Sequence, residues 1–265
     1  LSSYTTTFKA YSGFIAKKVL TDEVGNNFEK YYDAVGNLIR EIKYVEGIPD
    51  DDPEEEELIP HVTDYKYDDL YRVIEVKTPN NKHIYYSYDG LGRQSERTTP
   101  DAGLVKYKYD KNDNLRFSQD NNQANKPTET PPSKQLSYRG YDGLNRLLYL
   151  CDSYNETYLV PWSNLNPDDT YYFDSYSYTP NNFLVINVYD TITNYPANAN
   201  IFLDHKPLDY DSAASKTNNT KGSLCATAYR TLGTDSMSFK YYRYDIRGRV
   251  IKMWNYIAGL GTKVI

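Results

Sequence analysis

The stretch Tyr86-Ser87-Tyr88-Asp89-Gly90-Leu91-Gly92-Arg93-Gln94 decides how this chain is read. Tyr86 and Tyr88 stand two apart, so in an extended backbone both rings lie on one face of a strand. The short carboxylate of Asp89 suits it to bond nearby backbone N–H groups and start a turn. Gly92 tolerates the positive φ that reverses the chain. The phrase therefore predicts strand, tight turn, strand.

Five more copies begin at Tyr32-Asp33, Tyr67-Asp68, Tyr109-Asp110, Tyr141-Asp142 and Tyr244-Asp245. Four residues after each Tyr stand Gly36, Tyr71, Gly92, Asp113, Asn145 and Gly248, and only Tyr71 is not a residue that enters positive φ readily. Two residues further on, Leu38, Val73, Gln94, Leu115, Leu147 and Val250 begin the return strand, apolar in all but Gln94. Tyr65, Tyr107 and Tyr242 repeat the two-apart aromatic pairing, which favours strands and cross-strand packing.

The Tyr residues at 67, 88 and 109 are 21 residues apart, room for two strands and two turns. The intervals of 35 and 32 contain polar insertions at 47–60 and 121–133, which a repeat array places in loops at its edge. These features divide the chain into a repeat-bearing β-sheet segment over 1–150, an irregular Tyr/Asn/Asp-rich region over 151–240, and a further, truncated repeat over 241–265. Within the irregular region, near 176–186, Tyr176-Ser177-Tyr178-Thr179 with Asn182 and Leu184 reads as a seventh copy that has lost its Asp. The rest is an inserted lobe or a set of drifted repeats.

The pattern Tyr-x-Tyr-Asp-x-x-Gly-Arg-Val/Leu, nearly intact at Tyr86–Arg93 and Tyr242–Val250, resembles the YD repeats of the rearrangement-hotspot (RHS) family. That family includes shell components of bacterial toxin complexes, polymorphic toxins and the extracellular domains of teneurins. The resemblance covers about 31–150 and 240–265. It implies an all-β fold of antiparallel hairpins laid side by side in a spiralling, hollow shell. It also implies a bacterial secreted or cell-surface setting, with the remainder of a longer chain, an enclosed C-terminal effector or another shell or secretion subunit as partners. The sequence opens on Leu1, and Gly261-Thr262-Lys263-Val264-Ile265 stops where another Tyr-x-Tyr strand is due, so both ends are expected to be cut from a longer polypeptide. Unpaired strand edges at such ends predict poor behaviour in isolation.

Composition agrees. With 30 Tyr against 8 Phe and 2 Trp, the aromatic load rests on a ring that packs while its hydroxyl stays wet, the compromise required by a sheet solvated on both faces. A net charge of −6 with scattered Lys and Arg argues against nucleic acid. No apolar run approaches the roughly 20 residues of a membrane helix, and Tyr and charge stand where a membrane barrel requires aliphatic residues.

Motifs for chemistry are weak. The acidic run Asp50 to Glu57 reads as a solvated loop before it reads as a cation site. Asp110-Lys111-Asn112-Asp113-Asn114 starts like a calcium loop, but Leu115 and Asn121 replace the required Gly and Glu. His61, His83 and His205 lack metal-ligand spacing, and no nucleophile elbow or phosphate-cradling loop occurs. Cys151 and Cys225 form either a disulfide or two separate buried thiols. The expectation is a non-catalytic structural segment without cofactor or metal, whose repeat-defining residues are the Tyr, Asp, Gly and Asn of the phrases above. The alternative is an adhesin-like carbohydrate- or protein-binding module built around Trp162 and Tyr171 to Tyr178.

Overall fold

The computed structural model describes residues 4–7, 16–21, 27–47, 57–124, 135–154, 162–168, 183–190, 202, 205–207, 210, 221–231 and 236–265. They form an all-β, antiparallel structure with short helical turns at Asn121–Ala124 and Trp162–Asn164. The chain divides into two compact units, 1–106 and 107–265.

The first unit holds β1 (Tyr4–Thr7), β2 (Ala16–Thr21), β3 (Asn27–Tyr32), β4 (Leu38–Gly47), β5 (Glu57–Tyr67), β6 (Val73–Lys77), β7 (His83–Tyr88) and β8 (Gln94–Thr99), with the start of β9 (Gly103–Tyr109). Each strand pairs antiparallel with the next in sequence. Within the stretch 47–60, β4 and β5 stay paired out to Gly47 and Glu57, so that hairpin is longer than its neighbours. Its tip, with most of the acidic run, lies outside the described residues. Opposite charges face each other across strands, as in Lys30 and Glu41, Arg40 and Asp64, and Lys66 and Glu75. His83 also reaches Glu75 and stacks on Tyr85, a cross-strand role and not a metal site. Among the residues of this unit whose exposure is described, none is buried.

The second unit takes the end of β9 and adds β10 (Leu115–Gln119), β11 (Gln135–Tyr141), β12 (Leu147–Tyr154), β13 (Phe183–Tyr189), β14 (Leu224–Arg230), β15 (Met237–Tyr244), β16 (Val250–Ile257) and β17 (Gly261–Val264). From β10 onward each strand again pairs antiparallel with its successor. Here one face is dry, contrary to the expectation of solvent on both. Directly opposed residues form buried rows, Phe117, Tyr138, Cys151 and Phe183 in one, Tyr149, Ile186, Ala228 and Phe239 in another, Val188, Ala226, Tyr241 and Trp254 in a third.

The irregular region supplies the second layer that makes this burial possible. Phe202, fully buried, meets Phe239 and Tyr241 edge-on at 5.7 and 6.4 Å, and its carbonyl accepts a 2.8 Å hydrogen bond from the Tyr241 hydroxyl. Tyr210 packs against Trp254 at 5.5 Å, and His205 stacks on Phe239 at 4.4 Å. Leu165 is buried beside them, with its carbonyl bonded by Lys108 at 2.7 Å. Cys151 and Cys225 are both buried thiols not joined in a disulfide, which removes that alternative; burial pushes the Cys151 thiol up to about 12.

Each repeat turn has one geometry. In the copy at Tyr32, the Asp33 amide bonds the Asn37 carbonyl and the Gly36 amide bonds the Asp33 carbonyl, closing a three-residue loop whose last member has φ +94. Tyr32 then pairs with Leu38 across a register shift between Tyr31 and Tyr32, a bulge built into the end of the strand. The same shift precedes Tyr67, Tyr88, Tyr141 and Tyr244. Tyr71, the residue that broke the sequence rule, is bent to φ +61 all the same, beside Asp113 at +64 and Asn145 at +60. Since a non-glycine residue in that region costs roughly 1–2 kcal/mol and glycine loses more chain entropy on folding, Tyr71→Gly is expected to stabilise the first unit by about 0.5–1 kcal/mol net. Slower hydrogen exchange at the 68–72 turn would register the gain; faster exchange would contradict it.

Candidate functional site

The residues singled out in the sequence meet in the turns, and there each has a structural task. The Asp89 carboxylate accepts from the Leu91 and Arg93 amides through Oδ1, both at 2.9 Å, and from Arg93 Nε through Oδ2 at 2.8 Å. Asp68 binds Leu70 and Arg72 in the same way, Asp142 binds Leu144 and Arg146, and Asp245 binds Arg247 and Arg249. At Asp33 and Asp110 the side-chain donor is the amide of Asn37 or Asn114. An acceptor-only carboxylate thus closes its own loop three ways. The Arg or Asn five residues after the Tyr, whose role the sequence left open, is the third donor.

These bonds act on charge. Burial disfavours the ionised form of Asp89, yet the Arg93 amide and guanidinium and the Leu91 amide outweigh it and hold the carboxyl below its ordinary value of 3.8. At Asp68 the Arg72 guanidinium is the largest cause of the same lowering, and at Asp245 the Arg249 amide is. A carboxyl whose folded value is depressed contributes stability that is full above the unfolded value and is lost as pH falls through the folded one. Asp89→Asn is therefore expected to flatten the loss of stability below about pH 4, and Asp89→Ala to cost about 1 kcal/mol at neutral pH after solvent screening. Thermal melts from neutral to acid pH measure both. An unchanged acid limb in the Asn variant would refute the assignment.

The Tyr of four of the phrases reaches the neighbouring repeat. Tyr67 Oη donates to the Leu38 carbonyl at 2.8 Å, Tyr88 Oη to Val73 at 2.6 Å, Tyr141 Oη to Leu115 at 3.1 Å and Tyr244 Oη to Leu224 at 2.9 Å. In the first three the acceptor is the residue that starts the return strand of the preceding copy. Burial raises the pKa of all four hydroxyls, which keeps them protonated as donors. The Arg72 guanidinium lies 4.6 Å from the Tyr88 ring centre, a second tie between adjacent copies.

The fourth acceptor, Leu224, exposes a copy that the sequence did not reveal. Tyr189 pairs with Leu224 after a register shift at Val188/Tyr189, the Asp190 amide bonds the Ser223 carbonyl, and Asp190 Oδ1 accepts from the Gly222 amide at 2.6 Å. Gly222 has φ +79, as the glycine of the phrase should. Tyr189-Asp190 and Gly222-Ser223-Leu224 are the two halves of one repeat turn, separated by residues 191–221. Arg146 of the preceding copy lies 4.4 Å over the Tyr189 ring and bonds Asp190 Oδ2 at 2.8 Å. Of the degenerate copy expected near 176–186, residues 176–182 lie outside the described residues, and Phe183 to Ile186 lie in β13.

Between the 33–37 and 68–72 turns lies an open groove of about 550 Å³ lined by Asn37, Ile39, Tyr65, Asp69, Tyr71 and Ile74 among others. Trp162 is half-buried against the core under Lys108, and Tyr171 to Tyr178 lie outside the described residues. Among the described residues no group of His, Cys, Asp and Glu could hold a metal, and no described helix is long and apolar enough to cross a membrane.

The fold and site together define an all-β array of bulged antiparallel hairpins in which an Asp closes each turn and Tyr67, Tyr88, Tyr141 and Tyr244 tie their hairpins to the strand before. No family model and no curated protein matches the sequence. Solved structures similar to it include TcdB2-TccC3-TEV, at 12% identity over 99% of this chain with a TM-score of 0.44, and the Photorhabdus luminescens Tc holotoxin pore, at 17% over 98% with a TM-score of 0.35. The chain spans 14% of the length of each. A porin-like protein from Bacteroides uniformis is similar at 11% identity over 94% of this chain and 89% of its own, with a TM-score of 0.32.

Proposed function

We propose that this chain is a non-catalytic wall segment of an RHS/YD-type shell, within a larger bacterial protein that is exported or displayed at the cell surface and that encloses or presents an effector. The observation that carries the reading is the tie between copies. The Tyr hydroxyl of one hairpin bonds the backbone of the hairpin before it, so the repeat propagates a sheet sideways and does not assemble a reaction centre. The turn carboxylates support it further, because each already accepts the bonds that close its own loop. A wall of this kind satisfies its backbone groups between neighbouring strands. Its partners are then the rest of its own chain and the enclosed effector.

Electron microscopy of the full-length protein tests the proposal. An enclosed volume with additional density inside is the expected result, and a solid globule would refute it.

A further inference from the structure

Arg116, on β10, is only 4% exposed, and its Nε and Nη2 atoms have no hydrogen-bond partner. A guanidinium cannot shed its proton to escape burial, and an uncompensated buried charge costs several kcal/mol. Its cross-strand neighbour makes matters worse. The register pairs Phe117 with Tyr138 and Ser118 with Ser137, so the next step sets Arg116 opposite Arg139 on the same face of the sheet. Arg139 Nη1 donates to the Ser118 hydroxyl at 3.2 Å, and neither arginine forms an ion pair among the described residues. The contrast with Lys30 and Glu41, Arg40 and Asp64, or Lys66 and Glu75 is direct, since those opposed positions carry opposite charges. Like charges at opposed positions repel unless something negative offsets them.

We propose that Arg116 and Arg139 form a binding site for an oxyanion, a phosphate or a carboxylate, held between β10 and β11 on the face opposite the aromatic core. Both forks present paired N–H donors matched to two oxygens of such a group. Tyr141, whose hydroxyl is already engaged with the Leu115 carbonyl, borders the pair and leaves the anion to the arginines. An acidic side chain elsewhere in a longer protein and a free inorganic anion present the same chemistry to this site.

Hydrogen exchange of the purified protein, read on peptides covering 115–119 and 136–141, tests the proposal in phosphate, acetate and chloride at matched ionic strength. With phosphate or acetate at about ten times its dissociation constant, opening of these strands is expected to slow about tenfold. Protection by phosphate alone assigns a tetrahedral anion; protection by acetate as well assigns a carboxylate. Arg116→Met should abolish the effect without faster exchange in chloride, because an apolar side chain of similar length removes the unpaired charge. Arg139→Met, at the more accessible partner, should weaken it. The proposal is overturned if neither anion slows exchange in the wild type, or if Arg116→Met responds as the wild type does.

Discussion

Trp254→Ala is expected to destabilise the second unit by about 4 kcal/mol, near the upper end for removal of a large core side chain. Trp254 is 1% exposed, which for so large a residue requires cover on every side. The sheet gives Tyr241 directly opposite on β15, Tyr210 comes from the irregular region at 5.5 Å, and Lys252 lies 4.5 Å over the ring. Truncation leaves a void between the sheet and Tyr210. The loss should therefore spread to Tyr210 and Phe202 and not remain local. Chemical denaturation gives the magnitude, and hydrogen exchange around 202–210 and 250–257 gives the extent. A loss below about 1 kcal/mol would mean that this layer is not packed as a core.

Which parts of this arrangement could be read beforehand follows from how locally each is encoded. The turn at Tyr88-Asp89 was legible because the bonds of the Asp89 carboxylate to Leu91 and Arg93 all close within five residues. Even Tyr71, a poor residue for the position, follows the loop, since the flanking Asp68 bonds and strand pairing outweigh its local preference. The copy at Tyr189-Asp190 was not legible, because its glycine stands at 222 and no fixed offset spans the excursion between. The dry face was hidden for a related reason. Phe202, within the short apolar run Ile201-Phe202-Leu203, and Tyr210 follow neither the helical nor the strand period, and their contacts with Phe239, Tyr241 and Trp254 make them core. An abundance of Tyr predicted wet surfaces in agreement with the first unit, where none of the residues of described exposure is buried, and against the second, where one face is dry. The proposed pairing of Arg116 with Arg139 belongs to the same class of hidden feature, since it follows from the strand register at Phe117 and Tyr138 and not from sequence spacing.

Gly140→Ala should cost about 3 kcal/mol, an unusual penalty for adding one methyl group to a strand. Gly140 lies in β11 directly opposite Tyr149, and a Cβ there would stand 2.1 Å from Cζ, 2.3 Å from Cε1 and 2.5 Å from the hydroxyl of that ring. The tyrosine occupies the space that the missing side chain leaves free. It is 6% exposed and is held edge-on by Tyr138 at 5.9 Å and Phe183 at 5.8 Å, so it cannot swing aside without opening the row of which it is part. The penalty is therefore a packing collision and not a backbone conflict, and that distinction can be measured. Tyr149→Ala alone should cost about 3–5 kcal/mol through the cavity it leaves, but in the Gly140→Ala background much of the collision disappears with the ring. The double-mutant cycle is then expected to show a favourable coupling of about 2 kcal/mol. Simple additivity of the two losses in chemical denaturation would place the ring elsewhere and remove the close approach on which the small residue at 140 depends.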